Sequence, residues 1–152
     1  MAKIEGEIVI ARPPEVVFDF VADERNEPTY NRRMRRAEKI TNGPIGVGTR
    51  FRATSRTTLR SADMTIETTA YDRPTLLGST TRLGSAEIHG TLTFDRIPIG
   101  TRMTWSWDVE PKRFGKLLGP IVARLGRRQE DEIWMNLKRY LEGTGESRAA
   151  AS

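Results

Sequence analysis

Residues 101–109, Thr-Arg-Met-Thr-Trp-Ser-Trp-Asp-Val, alternate between two chemistries: Met103, Trp105, Trp107 and Val109 fall on one parity, Arg102, Thr104, Ser106 and Asp108 on the other. Successive side chains of a strand point to opposite faces, so the stretch is predicted as a strand with one apolar and one wet face. The run before it repeats the pattern, with Ile88, Gly90, Leu92 and Phe94 inward against Glu87, His89, Thr91, Thr93 and Asp95. Upstream, Phe51, Ala53 and Ser55 oppose Arg50, Arg52 and Arg56, while Met64, Ile66, Thr68 and Ala70 oppose Thr65, Glu67 and Thr69. The strand-like runs Thr49–Thr57, Asp63–Tyr71, Leu76–Leu83, Ala86–Asp95 and Thr101–Val109 are divided by turn segments such as Asp72-Arg73-Pro74, Gly84-Ser85 and Ile97-Pro98-Ile99-Gly100. That punctuation is expected of an antiparallel meander.

The apolar face of such a sheet has to be covered, and only the C-terminal segment is long enough. Pro111–Glu142 is expected to hold one long helix, disturbed near Gly115 and Gly119-Pro120, with Leu118, Val122, Leu125, Ile133, Leu137 and Leu141 at helical spacing. Its length would be ~45 Å at 1.5 Å per residue. At the other end, Ile4, Gly6, Ile8 and Ile10 form one face of a first strand. Arg12-Pro13-Pro14-Glu15 then opens a short helix, which the polar run from Asp23 to Pro28 closes. A second short helix or turn is expected within Thr29–Ala37, then a strand near Arg36–Thr41 and a glycine-rich turn at Asn42–Gly48. The fold class is α+β, a strongly curved antiparallel sheet gripping one long helix. Residues 1–143 are expected to make a single domain and 144–152 a disordered tail.

Composition narrows the function. The 152 residues include one His and no Cys, which excludes disulfides, Cys-ligated metal, a Cys nucleophile and a two-His metal site. No cofactor is expected. No stretch reaches the ~20 apolar residues of a membrane span, and Met1–Gly6 lacks the apolar centre of a secretory signal, so a cytoplasmic location is expected. The 25 Lys plus Arg against 20 Asp plus Glu are spread along the chain, densest at Arg32, Arg33, Arg35 and Arg36, with an outward row at Arg50, Arg52 and Arg56. Those outward positions lack aromatic partners for bases, so nucleic acid is not expected as a partner, and transient contact with an anionic membrane is favoured over it. Oligomeric state stays open between monomer and homodimer.

The chain order carries a family likeness. A strand, the helix Pro-Pro-Glu-Val-Val-Phe-Asp-Phe-Val-Ala-Asp (residues 13–23), the turn leading to Gly48-Thr49-Arg50-Phe51, a meander, Gly100-Thr101-Arg102-Met103-Thr104-Trp105 and a long terminal helix follow one another. This resembles the START-related helix-grip superfamily (SRPBCC proteins) in its polyketide cyclase/dehydrase-like branch. The resemblance implies a seven-stranded sheet wrapped around the C-terminal helix, with a hydrophobic cavity for lipids, sterols, polyketides or plant-hormone-like molecules. Where that family commonly has a Trp-Asn-Pro-like segment, this chain reads Tyr30-Asn31-Arg32.

Under that resemblance the inward residues become candidate ligand contacts: Met103, Trp105 and Trp107, then Phe51, Met64, Ile66, Ile88 and Leu92 from the sheet, and Leu118, Val122 and Leu125 from the helix. Each of them would otherwise be ordinary core. Tyr30 and Met34 fall where the family's cavity opens. Small inner residues, among them Ser55, Gly90, Ser79 and Thr81, either interlock with large ones or leave room. His89 lies on the outward parity and is read as a solvated strand residue. Glu130, Asp131 and Glu132 are read as the wet face of the helix. The expected function is binding of a hydrophobic small molecule between sheet and helix. The alternative is a polyketide cyclase or dehydratase using the same cavity, which needs an ionisable group inside it. A third reading is an interaction module with a vestigial cavity.

Overall fold

Strand β1 (Ala2–Ile10) is followed by helix α1 (Pro14–Ala22), a 3₁₀ helix (Glu24–Thr29), strands β2 (Met34–Lys39), β3 (Arg50–Arg56), β4 (Ser61–Asp72), β5 (Leu76–Arg82), β6 (Ala86–Ile97) and β7 (Gly100–Pro111), and helix α2 (Gly119–Ala151). The structure, a computed structural model, describes residues 2–56, 61–84, 86–111 and 119–151, without the side chains of residues 2, 111, 119–125 and 144–151. The seven strands join in one sheet in the order β1-β7-β6-β5-β4-β3-β2, every described pair antiparallel. The consecutive strands β1 and β2 therefore sit on opposite edges, and α1 with the 3₁₀ helix carries the chain between them. Seven antiparallel strands closing on a long C-terminal helix make this a helix-grip fold.

The inner parity read from β7 and β6 is buried: Met103, Trp105, Leu92 and Phe94 are removed from water, as are Phe51, Ala53 and Ile66 from β3 and β4. Opposite them α2 presents Trp134, Leu137 and Leu141, all buried. Fully burying one side chain of this size contributes roughly 1.5–3 kcal/mol. Helix α1 adds Val17, Phe18 and Val21, with the Phe18 ring meeting Tyr71 and Phe94 edge-on at 5.1 and 5.2 Å.

Two tryptophans need missing side chains on the neighbouring strand. Gly6 pairs with Trp105 and Gly90 with Trp107, and a Cβ built on either glycine would collide with that indole ring. Polar ties then fix α2. The Arg12 guanidinium donates to the carbonyls of Leu141 (2.9 Å) and Glu142 (2.7 Å), Lys138 Nζ donates to the Val9 carbonyl (2.8 Å), and Asn136 Nδ2 donates to the Tyr30 carbonyl (3.2 Å).

Four expectations shift. The second short helix is not within Thr29–Ala37 but at Glu24–Thr29, in the polar run read as a terminator; the Asp23 carboxylate accepts the Arg25 backbone N–H at 3.1 Å and so caps that turn. Strand β2 accordingly begins at Met34 rather than near Arg36. Pro111 ends β7 instead of opening the helix, because the β6–β7 ladder runs out to the pair Ala86 and Pro111. Helix α2 continues past Gly143 to Ala151, through the alanine-rich segment expected to be disordered.

Candidate functional site

The buried residues divide into two clusters, one around Phe18, Phe94, Trp105 and Leu137, the other made of Met34, Phe51, Ala53 and Ile66. Between them lies a cavity of about 470 Å³ lined by members of both. Its sheet wall is apolar, formed by Ile4, Met64, Ile66, Leu77, Ile88, Leu92 and Val109, with the hydroxyls of Ser55, Ser79 and Thr81 set among them. Val21 and Met34 close one side. The end facing the 3₁₀ helix is different in kind, with Glu24, Glu27, Tyr30 and Asn31 from that turn meeting Gln129, Glu130 and Trp134 from α2, and Trp107 reaching in from β7.

Local geometry explains why acids sit there. Side chains three residues apart eclipse in a 3₁₀ helix, so Glu24, Glu27 and the capping Tyr30 share one face. On α2 the inward stripe runs Gly126, Gln129, Glu130, Ile133, Trp134, Leu137 and Leu141, at the spacing of one α-helical face. Glu130 belongs to that stripe and cannot turn to the wet side.

The hydrogen bonds at this end are few. Trp134 Nε1 donates to Glu130 Oε2 at 2.8 Å, and Asn31 Nδ2 donates to Glu27 Oε1 at 2.7 Å. The Trp107 indole N–H also favours the charged form of Glu130, but among the described residues it is buried and makes no well-formed hydrogen bond. Burial dominates over both indoles and, with the nearby Glu27 and Asp131 charges, pushes the Glu130 carboxyl up to about 7. Burial, followed by the charge of Glu27, likewise pushes Glu24 well above the carboxylate range. Burial, then Glu27, Glu24 and Glu130, raises the Tyr30 hydroxyl, in a residue only 3% exposed. Among the described residues none of the three glutamates forms an ion pair; Arg25, the nearest cation in sequence, is held by Asp23 at 2.8 Å.

Of the residues singled out from the sequence, the structure brings Tyr30, Met64, Ile66, Ile88, Leu92 and Trp107 together on the cavity wall. Phe51, Met103 and Trp105 are not on it: Met103 and Trp105 are buried in the cluster that holds Trp134, Leu137 and Leu141 of α2, and Phe51 is buried with Met34, Ala53 and Ile66. Leu118 and the side chains of Val122 and Leu125 lie outside the described residues. Met34, read as a loop residue at the cavity mouth, is the first residue of β2 and lines the cavity. His89 faces outward beside Glu87 (3.2 Å) and Glu110 (3.8 Å), with Nδ1 3.1 Å from Thr80 Oγ1. Glu130 corrects its expected wet placement. Sequence reasoning missed Glu24 and Glu27 altogether, though their spacing of three before Tyr30 was a usable signal.

Residues 1–142 match the family described as polyketide cyclase / dehydrase and lipid transport. The chain belongs to this family. No curated protein matches it at a significant level. Among solved structures, a START superfamily protein from Mycobacterium smegmatis is similar with a TM-score of 0.82 at 14% identity, over 95% of this chain and 99% of that one. A protein of Thermus thermophilus gives 0.78 at 20% identity, over 93% and 98%. The di-domain ARO/CYC BexL of the BE-7585A biosynthetic pathway gives 0.76 at 14% identity, over 93% of this chain and 47% of that one. Likeness at this level of identity establishes the fold. Among the described residues no helix is long and apolar enough to cross a membrane.

Proposed function

We propose that this family member binds a hydrophobic small molecule, of lipid, sterol or polyketide-like character, in the cavity between sheet and α2. The observation that carries the reading is the room of about 470 Å³ beside a fully formed core, walled mainly by apolar side chains with three hydroxyls placed among them. Apolar burial at ~25 cal/mol per Å² would drive binding and the hydroxyls would orient the ligand's oxygens. The exposed Arg32, Arg33, Arg35 and Arg36 lie beside the Tyr30–Met34 wall and suit loading at an anionic membrane surface. Native mass spectrometry of freshly purified protein, followed by titration with an apolar panel, tests the reading. Thr81→Phe, which fills the cavity, is expected to weaken binding at least tenfold while the fold persists. Absence of binding to every panel member defeats the proposal, as does binding that Thr81→Phe leaves untouched.

A cyclase or dehydratase activity on a polyketide-like chain is the second reading, and Glu130 favours it. A carboxyl titrating at about 7 inside an apolar cavity is poised to give and take protons near neutral pH. Turnover of a poly-β-ketone substrate that Glu130→Gln lowers at least 100-fold would establish it; turnover that survives the substitution would remove Glu130 from the chemistry.

A further inference from the structure

The cavity is chemically two-ended, and its polar end is of one sign. Glu24, Glu27 and Glu130 line it, and no Lys, Arg or His is among its described lining residues. Nor do the three acids have an ion-pair partner elsewhere among the described residues, although the chain as a whole carries net charge +5. They are not arranged as a metal site, since no group of three or more His, Asp or Glu among the described residues could hold a metal ion.

A second observation points to a missing partner. Tyr30 is 3% exposed and lines the same end, and among the described residues its hydroxyl makes no hydrogen bond. That hydroxyl lies close enough to Glu27, Glu24 and Glu130 to feel all three charges. Lining the cavity without a protein partner, that hydroxyl is free to accept a hydrogen bond from an occupant. The rings of Tyr30 and Trp134 stack at 5.8 Å beside it, and Trp107 adds a third aromatic wall. Carboxylates combined with aromatic faces are the surroundings that recognise an ammonium group.

We propose that the ligand is an amphiphile with a protonated amine head, seated with the amine between Glu24, Glu27, Glu130 and Tyr30 and its apolar body along Met64, Ile66 and Ile88. This rests on the cavity reading above and adds the head-group class to it. Seating the cation draws the carboxyls to their ionised form, and the protons that leave Glu24 and Glu130 go to the buffer. An anionic head such as a fatty-acid carboxylate would instead face three acids with no cation to answer it.

Decylammonium, decanol and decanoate share one chain and differ only in the head, so isothermal titration calorimetry of the full chain with each at pH 7.5 separates body from head. Decylammonium is expected to bind at least tenfold tighter than decanol, with decanoate weakest, and to release protons, read as a heat that changes with the buffer's ionisation enthalpy. The Glu24→Gln/Glu130→Gln double variant is expected to lose the amine preference, so that its ratio of decylammonium to decanol affinity falls to about one. If that variant does not fold, Glu27→Gln reads the same loss. Equal binding of all three probes, or an amine preference that survives the neutralised acids, overturns this inference and leaves the container reading standing. Failure of all three to bind overturns both.

Discussion

Glu130→Gln isolates one carboxyl that the fold holds against its own chemistry. Below pH 4.5 the carboxyl is protonated in the folded and unfolded chains alike, and burial adds no ionic penalty. Between pH 4.5 and about 7 the unfolded chain ionises while the folded one keeps its proton, so stability falls as pH rises. Above about 7 the folded carboxyl ionises too, and the loss is complete. Displacing a carboxyl from 4.5 to about 7 corresponds to a loss of about 3 kcal/mol, at about 1.4 kcal/mol per pH unit. Residual contact of the half-buried side chain with water makes this an upper bound. Glutamine keeps the shape and an oxygen for the Trp134 N–H but never ionises, so the variant lacks this pH slope. Urea denaturation of both proteins at pH 4, 5, 6, 7 and 8 checks it. With m of about 2 kcal/mol per M, the midpoint of Glu130→Gln relative to the parent should climb by roughly 1.5 M from the acid end to pH 8. Glu24 contributes its own slope to both proteins and cancels in the comparison. Parallel midpoints at all five pH values would refute the reasoning.

Leu137→Ala empties a fully buried site on the anchored face of α2 and is expected to cost about 2–5 kcal/mol, read as a drop of roughly 5–15 °C in melting temperature. Gly90→Ala drives a Cβ into the Trp107 ring; overpacking of this kind costs about 1–3 kcal/mol, and a changed tryptophan emission should accompany the lower melting temperature. Arg73→Ala removes a bidentate contact to Asp19 at 2.6 and 2.8 Å, but both side chains are open to solvent, so the melting temperature should stay within the scatter of repeat scans.

The sheet is legible because period-two alternation survives wherever one face is dry: Met103 and Trp105 against Arg102 and Thr104 decide β7 without any neighbour. The cavity is legible only in part. Parity separates inward from outward, but it does not separate packed core from cavity wall, and so Phe51, Met103 and Trp105 stand beside Ile66 and Leu92 with nothing to tell them apart. Their difference lies in which neighbours close over each of them, which depends on contacts remote in sequence. The acidic end is hidden for another reason. Charged residues in a polar run are normally wet, and composition at 23–28 masks a period of three. The charges beside Glu130, Asp131 and Glu132, suggest a wet face, although Glu130 stands seven residues before Leu137 and three before Ile133, which fixes it on the apolar stripe.

The pairing of Gly90 with Trp107 makes capacity a matter of two positions acting together. An indole can lie flat on the sheet there only because its neighbour has nothing to put in the way, so the pair behaves as a movable partition. Exchanging bulk across it, with a branched residue at 90 and a small one at 107, would shift empty space from one side of the ladder to the other while leaving the strands in register. Designs that differ at these two sites would thus redistribute interior volume on an unchanged frame.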